Sequence, residues 1–188
     1  DITDLPMHER ARRGIGYLTQ EPSVFRKLSV EDNLLAILET CVMDRAERQV
    51  RLNYLLEELD LTALAKSMAY QLSGGEKRRL EITRALVTTP KLLLLDEVLA
   101  GLNPSEVQDM LPVLRGLQAD GLTILMIEHV MQAVMSLAQQ VWVLSQGQLI
   151  AHGTPQEVTR HPRVIEAYLG HGTAERLQQK QASSPEGH

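Results

Sequence analysis

The sequence has few aromatic residues and no excess of basic charge. Phe, Trp and Tyr make up 3% of its 188 residues, a scarcity that disfavours a β-sandwich and suits helices packed on aliphatic strands. Lys and Arg number 19 against 24 Asp and Glu, which gives a formal net charge of -5. Because no overall basic field is present, no nucleic-acid partner is expected.

Cysteine and long apolar runs are also scarce. The single cysteine, Cys41, excludes an internal disulfide and a zinc site built on several thiolates, so a reducing, cytosolic setting is expected. No uninterrupted apolar run approaches the ~20 residues that span a bilayer. The sequence opens with Asp1 and shows no basic and apolar leader, which predicts no signal peptide and a start that differs from that of its gene.

The hydrophobic pattern predicts an α/β fold with alternating helices and strands. We expect strands at residues 14–18 and 122–127, and another at 92–95, where four leucines in a row are typical of a strand covered on both faces. A hairpin is predicted from residues 141–144 and 148–151.

Capping residues mark the starts of several helices. Ser29 and Asp44 each precede a predicted helix in a small helical lobe at about 29–80. On the second of these helices, the residues predicted to lie on the buried stripe are Val50, Tyr54, Leu55 and Leu59.

Two further helices carry the next part of the pattern. One begins at Ser73, and another begins at Asn103 and ends near Gly121. Pro112 falls inside the latter, where it removes a hydrogen bond and predicts a kink or an early break. The polar residues 171–188 are predicted to be a disordered tail.

Two adjacent carboxylates, Asp96 and Glu97, follow the leucine-rich strand. Ligands of open α/β sheets bind beyond the carboxyl ends of the strands, where two acids can divide the labour. Asp96 would hold Mg²⁺, and Glu97 would polarise a water for attack on a γ-phosphate. From these residues alone, a strand that simply ends in solvated acids remains the alternative.

Residues 73–76 combine a capping box with two glycines. Ser73 is the predicted cap and Glu76 its reciprocal partner, while Gly74 and Gly75 leave backbone N–H groups bare for an anion. Each glycine costs roughly 1 kcal/mol relative to alanine inside a helix. That cost favours a phosphate site over a purely structural cap, although capping boxes are common.

Five motifs in this order resemble the ATP-binding subunits of ABC transporters. They are Gln20 as the Q-loop glutamine, residues 72–76 as the signature, 92–97 as the Walker B strand with its glutamate, 100–103 as the D-loop, and His129 as the switch histidine. The resemblance implies a P-loop NTPase fold, with a RecA-like parallel sheet and a helical signature subdomain.

The resemblance also implies ATP and Mg²⁺ as cofactors and a role for each motif residue. Glu97 and His129 would be catalytic, and Gln20 and Asp96 would reach the metal. The signature residues and Asn103 would face nucleotide. Implied partners are transmembrane permease subunits and a second ATP-binding cassette in a head-to-tail dimer, on the cytoplasmic, inner face of the cell membrane.

Two branches of the family share the resemblance. Residues 1–95 are most similar to the ATPases of lipopolysaccharide export. Residues from 99 onward, including 163–170, are more similar to the ATPases of branched-chain amino-acid import. The transported compound is therefore open.

One motif of the family does not occur among the 188 residues. They contain no Gly-x-x-x-x-Gly-Lys-Ser/Thr loop to hold phosphates, which the family places upstream of the stretch that resembles residue 1. We expect residues 1–170 to be a cassette domain without its Walker A portion, in which the sheet edge and part of the core are exposed. The alternatives are a short, non-enzymatic cassette that completes a partner's ATP site, or a non-transport ABC protein.

Overall fold

The computed structural model describes residues 1–41 and 43–169, with only the backbone described at 168 and 169. The chain divides into two units, residues 1–130 and the residues from 131 onward, which are considered separately below. None of the described helices is long and apolar enough to cross a membrane.

The first unit consists of five helices, two short 3-10 turns and a parallel sheet. Its helices are α1 (Met7–Arg12), α2 (Val30–Leu38), α3 (Arg45–Glu58), α4 (Gly74–Leu86) and α5 (Pro104–Ala119). Its strands are β1 (Ile15–Leu18), β2 (Leu92–Asp96) and β3 (Thr123–Ile127), and the 3-10 turns are Thr62–Leu64 and Ala69–Gln71.

The three strands are parallel and lie in the order β1-β2-β3. Leu18 pairs with Leu95 in one ladder, and Asp96 pairs with Ile127 in the other. The carboxyl ends of all three strands therefore meet at one edge, where the residues that follow each strand come together.

The sheet has one covered face and one open face. Leu93 and Leu95 of β2 are buried, whereas Tyr17, Leu125 and Ile127 on the opposite face are 45%, 53% and 62% exposed. The prediction that the leucine strand is covered on both faces is therefore wrong, because side chains on the second face of the sheet are exposed. The open face is the apolar exposure that the sequence led us to expect.

Helices α2 and α3 form the predicted helical lobe, and Ser29 caps α2 as expected. The prediction for Val50 and Tyr54 is wrong, since their side chains are 71% and 48% exposed. Leu55 and Leu59 are buried as predicted, and Leu52 and Leu56 are buried beside them. This helical spacing turns positions 50 and 54 toward solvent.

Reciprocal capping boxes begin four helices of the described chain. The capping residues are Asp44, Ser73, Asn103 and Thr154. Pro112 does not break α5, which continues from residue 104 to 119, so this prediction is wrong as to the break. Met110, Leu111 and Leu114 are buried on the same helix, and their packing holds it together through the proline.

The second unit is built on a hairpin. Strands β4 (Val141–Ser145) and β5 (Gln148–Gly153) are antiparallel. Both Gln146 and Gly147 have positive φ angles, of 48° and 75°, as a two-residue type I′ turn requires. The helices of this unit are α6 (Met131–Leu137), α7 (Pro155–Thr159) and α8 (Pro162–Leu169).

A small core joins these elements. Val143, Ala151, Val158 and Val164 are buried against one another, so the hairpin packs on the last two helices. The predicted disordered tail at 171–188 lies outside the described residues.

Candidate functional site

Three of the predicted site residues meet at the carboxyl edge of the sheet. The Gln20 side chain, just past β1, donates a hydrogen bond from Nε2 to Glu97 Oε2 at 2.9 Å. His129 follows β3, and its Nδ1 lies 3.9 Å from Glu97 Oε1. One carboxylate thus lies between an amide and an imidazole that come from two other strands.

The backbone at Glu97 has an unusual conformation. Its φ angle is +48°, which is uncommon for a residue with a Cβ atom and costs on the order of 1 kcal/mol. The Glu97 N–H donates to the Ile127 carbonyl at 2.9 Å. This hydrogen bond joins the turn after β2 to the end of β3. It therefore fixes the position of the Glu97 backbone, from which the carboxylate extends.

Asp96 and Gln20 offer oxygen atoms of the kind that Mg²⁺ prefers. The Tyr17 hydroxyl donates to Asp96 Oδ2 at 3.4 Å, a long bond that leaves most of the carboxylate available. Since the Gln20 nitrogen is bound to Glu97, its amide oxygen is available as an acceptor. No group of three or more metal-ligating side chains occurs among the described residues. Two protein oxygens fit Mg²⁺ when phosphates and waters supply the other ligands.

The start of α4 has the predicted capping box. Ser73 Oγ accepts from the Glu76 N–H at 3.2 Å, and Glu76 Oε2 accepts from the Ser73 N–H at 2.7 Å. The Gly74 N–H has no hydrogen-bond partner in the part of the chain that the structure describes. The prediction of bare N–H groups is wrong for Gly75, whose N–H donates to Glu106 Oε1 at 2.9 Å.

Glu106 is the reciprocal acid of the Asn103 capping box. Its Oε2 accepts from the Asn103 N–H at 3.0 Å, which is that local role. Its other oxygen binds Gly75, 31 residues away. These two backbone hydrogen bonds, the Asn103 bond first, lower the pKa of Glu106 below that of an ordinary glutamate. The capping motif was the available signal, but it gives no hint of the second bond.

Glu128 is a second carboxylate that sequence reasoning did not assign to the site. Its Oε1 accepts from the Leu99 N–H at 2.9 Å. Glu128, which precedes His129, therefore binds the backbone just before the 100–103 loop. Its Oε2 is buried and has no hydrogen-bond partner in the described structure. The loop is therefore bound by a carboxylate at each end, Glu128 and Glu106.

The segment after Gln20 is held by residues of the helical lobe. Glu81 Oε1 accepts from the Ser23 N–H at 2.8 Å, and Asn33 Oδ1 accepts from the Phe25 N–H at 2.8 Å. Glu81 also binds Arg78 at 2.7 Å in a buried pair. Glu81 and Asn33 carry no motif, so only tertiary structure identifies them.

These contacts form two groups. Gln20 and His129 each contact Glu97 at the sheet edge, and Asp96 is the residue before Glu97 in the chain. Ser73 and Glu76 bind each other at the start of α4, where Gly75 is joined through Glu106 to Asn103. A parallel sheet with an acid pair at its edge, and a glycine-containing helix start on a helical lobe, are features of the α/β ATPases.

Comparisons with known proteins narrow this class to a family. Residues 1–100 match the family described as ABC transporter, and residues 148–174 match the one described as branched-chain amino acid ATP-binding cassette transporter. The first match covers more than half of the chain. The chain belongs to the ABC transporter family, as an ATP-binding cassette.

Individual relatives agree. The chain is 46% identical over 170 residues to the lipopolysaccharide export system ATP-binding protein LptB of Acidithiobacillus ferridurans, a match that covers 90% of this chain and 70% of that protein. It is also 46% identical to LptB of Escherichia coli (strain K12), over 90% of this chain and 71% of that protein. A crystal structure of the ADP conformation of MJ1267, an ATP-binding cassette of an ABC transporter, matches with a TM-score of 0.77 and 32% identity, over 90% and 74% of the two chains.

Proposed function

We propose that this chain is the ATP-hydrolysing subunit of an ABC transporter and that it acts with permease subunits on the inner face of the membrane. The observation that carries the proposal is the contact of Glu97 with Gln20 at 2.9 Å, beside His129 at 3.9 Å. An amide and an imidazole on either side of one carboxylate are suited to hold a water and a phosphate in line.

In this proposal each residue at the sheet edge has a distinct task. Glu97 accepts a proton from the attacking water, and His129 donates a hydrogen bond to the terminal phosphate. Gln20 orients Glu97 through its nitrogen, and its oxygen, with Asp96, holds Mg²⁺. At these two oxygens a bound Mg²⁺ would supply positive charge to neutralise the phosphates.

We further propose that residues 73–76 act on an ATP held by a second cassette in a head-to-tail pair. The Ser73 hydroxyl and the unpartnered Gly74 N–H are the donors that remain for a phosphate, as Gly75 is bound to Glu106.

A reporter cassette tests the signature role. The reporter is an intact ABC ATPase whose own signature serine is replaced by arginine, so that its hydrolysis needs a signature supplied by this chain. Adding the chain should restore hydrolysis, and Ser73→Arg should abolish that restoration. Thr154→Arg is the matched control, because Thr154 caps α7 with the same box and should leave restoration intact. No restoration by the unaltered chain would overturn the signature role.

Nucleotide binding separates the enzyme from the non-enzymatic alternative. A fluorescent ATP analogue titrated into this chain should bind weakly, and it should bind tightly once a phosphate-loop segment from a relative is fused before Asp1. Tight binding of the ATP analogue by the chain alone would exclude the alternative of a non-enzymatic cassette that only completes a partner's ATP site. A fusion that binds ATP and yet does not hydrolyse it would overturn the proposal that the chain is an ATP-hydrolysing subunit.

For the cargo we propose lipopolysaccharide. The support is 46% identity to LptB over 90% of the chain, against a 27-residue match of 148–174 to the branched-chain amino acid group. That short match favours amino-acid import as the second candidate. The fused cassette should restore growth to an Escherichia coli strain depleted of LptB, whereas restored uptake of branched-chain amino acids in an importer-deficient strain would favour the second candidate.

A further inference from the structure

Glu106 uses its two carboxylate oxygens in two different places. Oε2 accepts from the Asn103 N–H at 3.0 Å, within its own capping box. Oε1 accepts from the Gly75 N–H at 2.9 Å, in the first turn of another helix. A single side chain thus joins the end of the 100–103 loop to the signature turn.

The equivalent glutamates in other capping boxes do not make such a bridge. Glu47 begins α3 with the same arrangement, and its Oε2 accepts from the Asp44 N–H at 2.9 Å. Within the described residues, the Glu157 carboxylate accepts hydrogen bonds from Thr154 alone, from its backbone N–H and its hydroxyl. Local capping therefore does not require the second contact that Glu106 makes.

The two signature glycines fit around this side chain. A Cβ atom on Gly75 would lie 3.2 Å from Glu106 Cγ, and one on Gly74 would lie 3.3 Å from Glu106 Oε1. Both distances are tighter than ordinary contacts, so side chains at either position would press on the carboxylate. The absence of Cβ atoms at 74 and 75 thus has an explanation within the chain, in addition to any approach by a phosphate.

We propose that Glu106 is a positioning residue that holds the 100–103 loop and the signature turn together as one rigid surface for the partner cassette. This inference rests on the proposed function of the signature. Glu106 itself does not touch nucleotide. It orients Ser73 and the Gly74 N–H through Gly75, and it fixes Asn103 relative to them.

A readout that needs no nucleotide tests the bridge itself. We expect Glu106→Ala to accelerate hydrogen exchange of the Gly75 amide by about fivefold or more, the factor that one lost hydrogen bond supplies. Glu47→Ala removes a matched capping acid and should leave the Gly75 amide unchanged. Equal exchange at Gly75 with and without the Glu106 carboxylate would overturn the bridge.

The reporter cassette then tests the consequence for function. Glu106→Ala should lower the maximal restored rate about tenfold, because the surface is no longer rigid, while the reporter's KM for ATP stays the same, since the reporter alone holds that nucleotide. Glu106→Gln keeps one acceptor oxygen, so its maximal restored rate should lie between those of Glu106→Ala and the unaltered chain. Glu47→Ala should restore hydrolysis as well as the unaltered chain does.

The possible failures are distinguishable. If the unaltered chain restores no hydrolysis, the proposed function fails, and the exchange rate at Gly75 still decides on the bridge. If the unaltered chain restores hydrolysis and Glu106→Ala restores it at the same rate, the positioning role of Glu106 is overturned. A rate that rises in Glu106→Ala would also overturn positioning, because it would mean that the carboxylate blocks the signature.

Discussion

Glu97 concentrates the chemistry of the sheet edge in one side chain, and the positive φ angle there is part of the arrangement. In the fused cassette that carries a phosphate loop, we expect Glu97→Gln to lower ATP turnover by ~10²–10⁴, the range typical of a lost general base. The stability should stay the same, because glutamine accepts the same backbone conformation and can bind Gln20. Steady-state ATPase assays and urea unfolding measure the two effects.

Glu39→Gln is the control for that variant. Glu39 is an exposed carboxylate at the C-cap of α2, so its neutralisation should change neither turnover nor stability. Normal turnover in Glu97→Gln would remove the assignment of Glu97 as the base, whatever the remaining residues do.

The pKa of Glu106 predicts a dependence of stability on pH. Hydrogen bonds from Asn103 and Gly75 lower this pKa in the folded chain, whereas an unfolded glutamate titrates near about 4.3. The ionised group therefore stabilises the fold above the unfolded pKa, and this stabilisation is lost as pH falls through the lower, folded pKa. Urea unfolding between pH 6 and pH 3 should show a shallower decline for Glu106→Gln than for the unaltered chain. Identical dependence of stability on pH in the two chains would contradict this prediction.

At the residue scale, the sequence predicted the motif side chains but not the groups that hold them. The resemblance to ABC transporter subunits assigned Gln20, Glu97 and His129 to the nucleotide site, and the structure places Gln20 and His129 on either side of Glu97. The Gly75 contact was missed because a capping box describes four consecutive residues, while Glu106 reaches across 31. Such a partner follows from the packing of α4 against α5.

Among the elements, α5 is a helix that continues through an interior proline where the sequence predicted a kink or a break. Pro112 removes a donor in a helix that nevertheless runs on to residue 119. We expect Pro112→Ala to stabilise the chain by about 1–2 kcal/mol, because an interior proline costs about 3 kcal/mol and part of that is offset by a stiffer unfolded chain. The midpoint of urea unfolding measures the change.

Pro104 is the matched control within the same helix. It occupies the first helical turn, where a proline lacks no needed N–H and its φ angle suits the helix. Pro104→Ala should therefore leave stability unchanged or lower it slightly. Equal stabilisation by both replacements would indicate that the unfolded state, and not α5, sets the effect.

The starts of helices were predictable because capping is local, as at Asp44 and Ser73. Burial was less so. Leu55 was assigned to the core correctly, but Val50 and Tyr54, assigned with it, are exposed, and the unassigned Leu52 is buried. Two nearly adjacent apolar stripes on one helix are equivalent in sequence, and only the position of α2 and α4 decides between them.

For the whole of the first unit, the open sheet face is the feature with the largest effect on behaviour in solution. Tyr17, Leu125 and Ile127 form an exposed apolar surface on the parallel sheet. We expect the chain to bind the dye ANS and to self-associate at micromolar concentration. Leu125→Thr together with Ile127→Thr should reduce both, as followed by fluorescence and light scattering.

A control for this prediction comes from the helical lobe. Val50 is 71% exposed on α3, away from the sheet, and Val50→Thr removes a similar apolar side chain without altering the open face. Dye binding should be unchanged in this variant. If Val50→Thr reduced dye binding as much as the double replacement, the apolar surface would not lie on the sheet.

The single covered face also has a consequence for the tolerance of β3 to mutation. Along this strand, Ile124 and Met126 are half-buried between the more exposed Thr123, Leu125 and Ile127. Saturation mutagenesis with selection for folded chain should therefore give an alternating profile, in which polar codons survive at every second position. In a lineage free of selection on the outer face, the same alternation would appear as two interleaved rates of substitution.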